Sequence, residues 1–257
     1  MHAHERDNLI AQTLAQRGFV SFQELCARLD ASAATIRRDL ERLEKEGRLE
    51  RVRGGARVTT GQVGQDRLAG TPFDINRSRN AEKKAAIGKA AAGLCRPEES
   101  IIIDGGTTTF QMCPHLAGLN IQVLSNSLYI VGELLRQPAA RVLVPGGAIF
   151  REQNIILSPF EEDGLERYHA SKMFMGAAAI GAKGLMQADV VLIQAERRLI
   201  ERADKLIVLA DSSKFLVSAS FSLCELREVD VLVTDNGIRR EDLATLREHG
   251  VEVIVTD

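Results

Sequence analysis

The chain has 257 residues, 45% of them apolar, with 33 basic against 35 acidic side chains and a net charge of −2. That length and apolar content exclude a disordered chain and allow one large domain, or a small and a medium one, to pack without covalent staples. The near-neutral charge excludes a protein that coats nucleic acid over its whole surface, and 4% aromatic residues with no Trp exclude stacking platforms for single strands.

From the N-terminus, Arg6 to Gln16 predicts a helix with Leu9, Ile10 and Leu14 inward, ended by Gly18. Ser21-Phe22-Gln23-Glu24 is a capping-box sequence that opens a short helix with Phe22, Leu25 and Leu29 inward. After the turn at Asp30-Ala31, Ser32 caps a longer helix running to Lys45. Its Ile36, Leu40 and Leu43 form one buried stripe. Thr35, Arg37, Arg38 and Arg42 are left on the exposed flanks. Gly47 stops this helix, and Leu49, Val52 and Val58 flank Gly54-Gly55 in a predicted hairpin that presents Arg51, Arg53 and Arg57. Taken alone, the basic helix fits a solvated face as well as a DNA groove. A capped helix before it and a wing after it turn the balance to a winged helix-turn-helix in which it enters the major groove. Ser32–Arg57 carries eight basic and five acidic residues, as a local DNA-binding patch should.

The run Thr35-Ile36-Arg37-Arg38-Asp39-Leu40, followed by Leu43, Gly47 and Arg51-Val52-Arg53-Gly54-Gly55-Ala56, resembles the DeoR family of bacterial transcriptional regulators. Arg53 stands where that family often has His. The exposed flanks of the helix and the wing make Ser32, Thr35, Arg37, Arg38, Arg42, Arg51 and Arg53 the expected operator contacts.

Residues 59–79 lack periodicity and read as a linker, between a DNA-binding domain at 1–58 and a larger α/β domain at 80–257. Beyond it, Ala81–Leu94 predicts a helix. Ile101-Ile102-Ile103 predicts a strand buried on both faces, running into Asp104-Gly105-Gly106-Thr107-Thr108-Thr109 and a helix. Further strands are predicted at Ile121–Ser125, Val142–Val144, Met173–Ile180, Leu206–Ala210, Val229–Val233 and Val251–Val255. Helices are predicted at Asn126–Arg136, Val190–Ala203 and Arg239–His249. This alternation predicts a mainly parallel sheet with helices on both faces. Ligands of such sheets sit beyond the carboxyl ends of the strands. Those ends carry Asp104–Thr109, Ser125-Asn126-Ser127, Gly146-Gly147 and Asp211-Ser212-Ser213-Lys214. Gly105 and Gly106 allow an anion close to the backbone, and Thr hydroxyls with helix-start amides supply donors to a phosphate. Asp104 can accept from a sugar hydroxyl, and Lys214 supplies a compact positive charge.

This half resembles the DeoR-family sensor domain along nearly its whole length: Asp104–Thr108, Ser125-Asn126-Ser127 (Ser for the usual Thr), Gly146-Gly147, Asp211–Phe215 and Thr234-Asp235. The resemblance implies a fold related to ribose-5-phosphate isomerases and coenzyme A transferases, and a phosphorylated sugar or related metabolite as effector. Asp104, Thr107, Thr108, Thr109, Asn126 and Lys214 are carried over as ligand contacts, with Gly105, Gly106 and Gly147 beside them. Lys172 is a second candidate for the phosphate, Glu196 is expected to face the pocket, and Arg197 and Arg198 are expected on a solvated face. Asn154–Pro159 and Lys172–Gly176 depart from the commoner members and resemble the ascorbate-utilisation repressor branch.

The expected function is a repressor of a carbohydrate-utilisation operon, binding double-stranded operator DNA as a homodimer or homotetramer and released by a phosphorylated sugar. The alternative is a sugar-phosphate isomerase or transferase with an accessory DNA-binding head, using Asp104 and Glu196 as acid and base. On the first reading no residue is catalytic and no cofactor is needed. Cys26, Cys95, Cys113 and Cys224 show no metal-ligand spacing, so reduced thiols and no metal are expected. No apolar run reaches the roughly 20 residues of a membrane span. The polar start lacks a signal-peptide core, so a cytoplasmic location is expected.

Overall fold

The structure is a computed structural model that describes residues 6, 7, 9, 10, 13, 14, 19–29, 31–45, 49–52, 54–57, 73–151, 153–158 and 164–257. The chain divides into two compact units, Met1–Arg67 and Leu68–Asp257.

In the first unit, residues 6, 7, 9, 10, 13 and 14 are helical, and Ile10 and Leu14 are buried. Gly18, Gly47 and Arg53 lie outside the described residues. Strand β1 (Phe19–Ser21) leads into α1 (Phe22–Arg28), whose Glu24 amide donates to the Ser21 hydroxyl at 3.1 Å. Helix α2 (Ala33–Lys45) is capped by Ser32, whose Oγ accepts from the Thr35 amide at 3.2 Å. Ile36, Leu40 and Leu43 are buried with Leu25 and Leu29, as the periodicity requires. The hairpin of β2 (Glu50–Val52) and β3 (Gly55–Arg57) gains a third strand that the sequence reading lacked, because β1 pairs antiparallel with β3. That pairing needs a glycine. A Cβ on Gly55 would stand 2.1 Å from the Val20 carbonyl oxygen.

In the second unit, a helix α3 (Phe73–Ser78) precedes α4 (Ala81–Ala92). It falls inside the stretch read as linker. Phe73 is buried, stacked on Tyr129 at 4.0 Å and edge-on to Phe110 at 5.8 Å. The linker reading of residues 73–79 is therefore corrected: burial of an aromatic side chain ties them to the sensor core.

Seven parallel strands make the main sheet: β4 (Ser100–Ile103), β5 (Gln122–Leu124), β6 (Arg141–Leu143), β9 (Lys172–Met175), β12 (Leu206–Leu209), β14 (Val231–Asp235) and β15 (Glu252–Thr256). Their order is β15-β14-β12-β9-β4-β5-β6. Both faces are covered, which is why the strands read as unbroken apolar runs. Ile101 and Ile103 face α4, α5 (Leu128–Leu134) and a 3₁₀ turn at Thr109–His115, where the sequence predicted an α-helix. Pro114 lies within that turn, and proline cannot donate to an α-helical ladder. Ile102 faces the layer of α6 (Val190–Ile200) and α7 (Arg240–Glu248).

The predicted strand Met173–Ile180 is two strands. β9 ends at Met175, and after Gly176–Ala178 the chain enters β10 (Ala179–Gly181), which pairs antiparallel with β11 (Gly184–Gln187). β13 (Phe221–Cys224) completes that smaller sheet, and β7 (Ala148–Phe150) with β8 (Ile155–Leu157) forms a separate hairpin.

Helix α4 packs closely on the Thr109–His115 turn. A Cβ on Gly88 would meet Gln111 Cβ at 2.5 Å and its carbonyl carbon at 2.6 Å. Gly→Ala inside a helix ordinarily gains about 1 kcal/mol. Gly88→Ala is expected to lose about 1–3 kcal/mol instead, because a close-packed backbone must move. Urea denaturation checks the sign: a stabilised variant would mean the two elements separate freely.

Candidate functional site

The carboxyl ends of β4, β9 and β12 meet at a cleft of about 280 Å³. One wall is the loop after β4. Asp104 continues the ladder, its amide donating to the Phe174 carbonyl at 2.9 Å. The Thr109 hydroxyl donates to the Asp104 and Gly106 carbonyls at 2.8 and 2.9 Å, closing the loop on itself. Asn126, after β5, donates to Asp104 Oδ1 and accepts from the Gly105 amide, both at 3.0 Å. Gly105 passes so close to the β7–β8 hairpin that a Cβ would lie 2.7 Å from Ile155 Cγ2. The loop thus presents Asp104, Gly105, Gly106, Thr107 and Thr108 to the cleft.

The opposite wall carries Glu196 on α6. It is buried, and Gln187 at the end of β11 donates to both its oxygens at 2.7 and 2.9 Å. Burial, and next the charge of Asp104, push the Glu196 carboxyl well above the usual carboxylate range. Burial also raises Asp104, against the bonds from Asn126 and Gly105. At the far end stands Lys214, on the 3₁₀ turn Ser212–Phe215 after β12. Burial lowers its affinity for a proton, and the nearby Arg79 lowers it further.

Of the predicted cleft residues, the structure brings together Asp104, Gly105, Gly106, Thr107, Thr108, Glu196 and Lys214. Thr109 and Asn126 stand behind the wall, where they hold the loop rather than line the cleft. Gly147 is also outside the lining; it allows the hairpin to close, since a Cβ there would lie 2.4 Å from the Leu157 carbonyl oxygen. Lys172 is corrected more fully. It begins β9, at the end of the sheet opposite the cleft, and it pairs with Glu99. Arg197 and Arg198 are engaged with Glu228 and Glu166. Residues not foreseen include Phe73, Asn76, Arg79, Gln153, Ile155 and Gln187. Pro72 ahead of Asp74 was a helix-start signal for the first three.

The two buried carboxyls have a measurable consequence. Glu196 titrates higher in the folded than in the unfolded chain, so folding takes up a proton. Its contribution is complete below the unfolded value and is lost as pH rises through the folded one, at no more than about 1.4 kcal/mol per pH unit. Glu196→Gln is expected to flatten this fall, leaving the smaller part due to Asp104 and the other titrating groups. Urea midpoints at pH 5 and pH 8 test it: an equally steep loss in the variant would clear Glu196.

The outer face of α2 shows a second arrangement. Arg37 and Arg38 are exposed, and the Arg37 guanidinium lies 5.2 Å from the centre of the Phe22 ring. Ser32 and Thr35 join their hydroxyls at 2.9 Å. Arg42 differs from expectation, reaching Asp7 at 2.7 Å and Asp39 at 3.6 Å. Arg51 pairs with Glu41 at 3.0 Å. Asp39 is buried and takes Arg6 at 2.7 Å, so the acid of the Thr35–Leu40 motif ties α2 to the first helical residues.

A family model of the DeoR-like helix-turn-helix domain matches residues 6–62, and one of the DeoR C terminal sensor domain matches residues 79–236. The chain is 32% identical over 250 residues to the HTH-type transcriptional regulator UlaR of Shigella dysenteriae, covering 97% of this chain and 98% of the relative. UlaR of Escherichia coli strain K12 matches with the same identity and coverage. Among solved structures, ribose 5-phosphate isomerase A from Methanocaldococcus jannaschii aligns over 53% of this chain and 55% of its own, at 16% identity and a TM-score of 0.39.

Proposed function

The chain belongs to the DeoR family and is a DNA-binding transcriptional regulator; from that premise we propose that it represses a carbohydrate-utilisation operon and is released by a phosphorylated sugar or related metabolite. One observation carries the effector class. A single cleft is lined by Gly106, Thr107, Thr108 and Lys214 together with two buried carboxyls, Asp104 on the same loop and Glu196 on the opposite wall. The first group suits a phosphate, and the second suits the hydroxyls of a sugar. Release requires the effector to prefer the form with low DNA affinity. Repeated half-sites call for at least a homodimer, and a homotetramer meets the same need.

We propose further that the cleft binds without turnover, acting in the cytoplasm as a sensor. Asp104 is held by Asn126 and Glu196 by Gln187, bonds that fix both carboxyls in place. The test is a panel of sugar phosphates against the purified protein. Saturable thermal stabilisation with the compound recovered unchanged supports the sensor. Product formation would favour the isomerase or transferase reading instead.

A further inference from the structure

Helix α3 is the first described element after the DNA-binding unit, and it is also a wall of the cleft. Phe73 and Asn76 of the helix, and Arg79 directly after it, line the cleft alongside Thr107, Thr108 and Lys214. The docking of this segment is specific. Asn76 Nδ2 donates to the Thr107 hydroxyl at 3.3 Å, and the buried Lys84 donates to the Asn76 carbonyl at 2.5 Å. Asn80, just beyond, donates to Asp211 at 2.9 Å.

The charges here are out of balance. Arg79, Lys84 and Lys214 gather at this end, and Asp211 is the acid that acts on both lysines. Asp211 already accepts from Asn80 and Ser213. Burial first, and then the neighbouring cations, bring Lys84 down to about 8. Two lysines that share one committed carboxylate, with Arg79 adding a third positive charge beside them, make this end of the cleft short of negative charge.

We propose that Asn76 and Arg79 are part of the effector site, taking its phosphate together with Thr107, Thr108 and Lys214, so that binding holds the end of the tether against the sensor. This rests on the sugar-phosphate reading above and adds its physical link to the output. A ligand that contacts α3 only when α3 is docked favours docking by the factor 1 + [L]/Kd, about a hundredfold when the ligand stands at a hundred times Kd. Residues 73–80 are then held in place by the metabolite itself.

The test uses the full chain, a panel of pentose and hexose phosphates, inorganic phosphate, and the matching free sugars. Calorimetry gives affinity, and hydrogen exchange follows the amides of residues 73–80. The phosphorylated compounds are expected to protect those amides and the free sugars are not. Arg79→Ala is expected to weaken the phosphorylated ligand about tenfold or more, as loss of one charge-assisted contact should, and to remove the protection. Arg79→Lys recovers part of both. The melting temperature without ligand shows that the variants fold. Wild-type affinity in Arg79→Ala, or protection of residues 105–108 without residues 73–80, overturns the inference and leaves the sugar-phosphate reading standing. If no phosphorylated compound binds the wild type, both fall.

Discussion

Replacing Arg38 with alanine lowers operator affinity by about ten- to a hundredfold and leaves folding stability within about 0.5 kcal/mol. The two halves of that expectation come from one geometry. Helix α2 is anchored by Ile36, Leu40 and Leu43 and capped by Ser32, and Arg38 belongs neither to that cluster nor to the cap. Arg38 is exposed, and among the described residues no ion pair engages it. Its guanidinium is therefore available to a base edge, where a bidentate contact discriminates by about 1–3 kcal/mol, or to a phosphate. The salt dependence separates these. Loss of a phosphate contact lowers the slope of log K against log salt by about 0.9, whereas loss of a base contact relaxes sequence preference at one position. Anisotropy titrations with a duplex selected from random sequence, at several salt concentrations, measure both. Unchanged affinity at fixed salt would remove α2 from the groove. Arg42 serves as the contrast. It satisfies Asp7, which is nearly buried, so Arg42→Ala is expected to act on stability before it acts on DNA.

That contrast also marks how far the residues could be read in advance. Helix α2 was legible because a cap and a 3.6-residue stripe are local signals, and β4 because three isoleucines in a row need cover on both sides. The loop after β4 was legible for the same reason, since a strand followed by glycines and threonines fixes its own chemistry. The ion pairs of Arg42 with Asp7 and of Lys172 with Glu99 join residues 35 and 73 positions apart, and no local pattern carries them. Lys172 could still have been placed. It precedes the apolar run of its strand, and parallel strands put their starts and ends at opposite edges of the sheet. The break at Gly176–Ala178 was hidden by its own apolar character, which let two strands read as one. Helix α3 was hidden by its length, since six residues are too few for a stripe to repeat. Both hidden features line the cleft, so the strand ends were readable while the mouth built from turns was not.

Lys214→Met is expected to leave the unliganded protein as stable as the wild type or more so, while raising the dissociation constant for a phosphorylated effector about ten- to a hundredfold. The lysine is placed by its surroundings. Asp211 caps the turn through the Ser213 amide at 3.1 Å, and Asp235, held by Lys83 at 2.7 Å, takes the Ser212 amide at 2.6 Å. The ammonium is thereby presented to the cleft although burial and Arg79 disfavour its charge. A lysine whose folded value is depressed costs stability while it is charged, and that cost fades as pH rises through the folded value. Below it, methionine of similar length removes the cost, so the unliganded variant gains. A bound phosphate reverses the balance, because the anion adds counter-charge to that of Asp211, which already accepts from Asn80 and Ser213. Effector affinity in the wild type should then decline with rising pH sooner than it would for a free lysine, and in Lys214→Met this part of the decline should vanish. Thermal shifts with and without the sugar-phosphate panel, at pH 7 and pH 9, read all three quantities. Half-maximal stabilisation of Lys214→Met at the wild-type concentration would take the phosphate away from this end of the cleft. The gain and the loss belong together: a site that stores unbalanced charge for a metabolite is less stable empty than it could be, and the difference is the energy with which the metabolite is recognised.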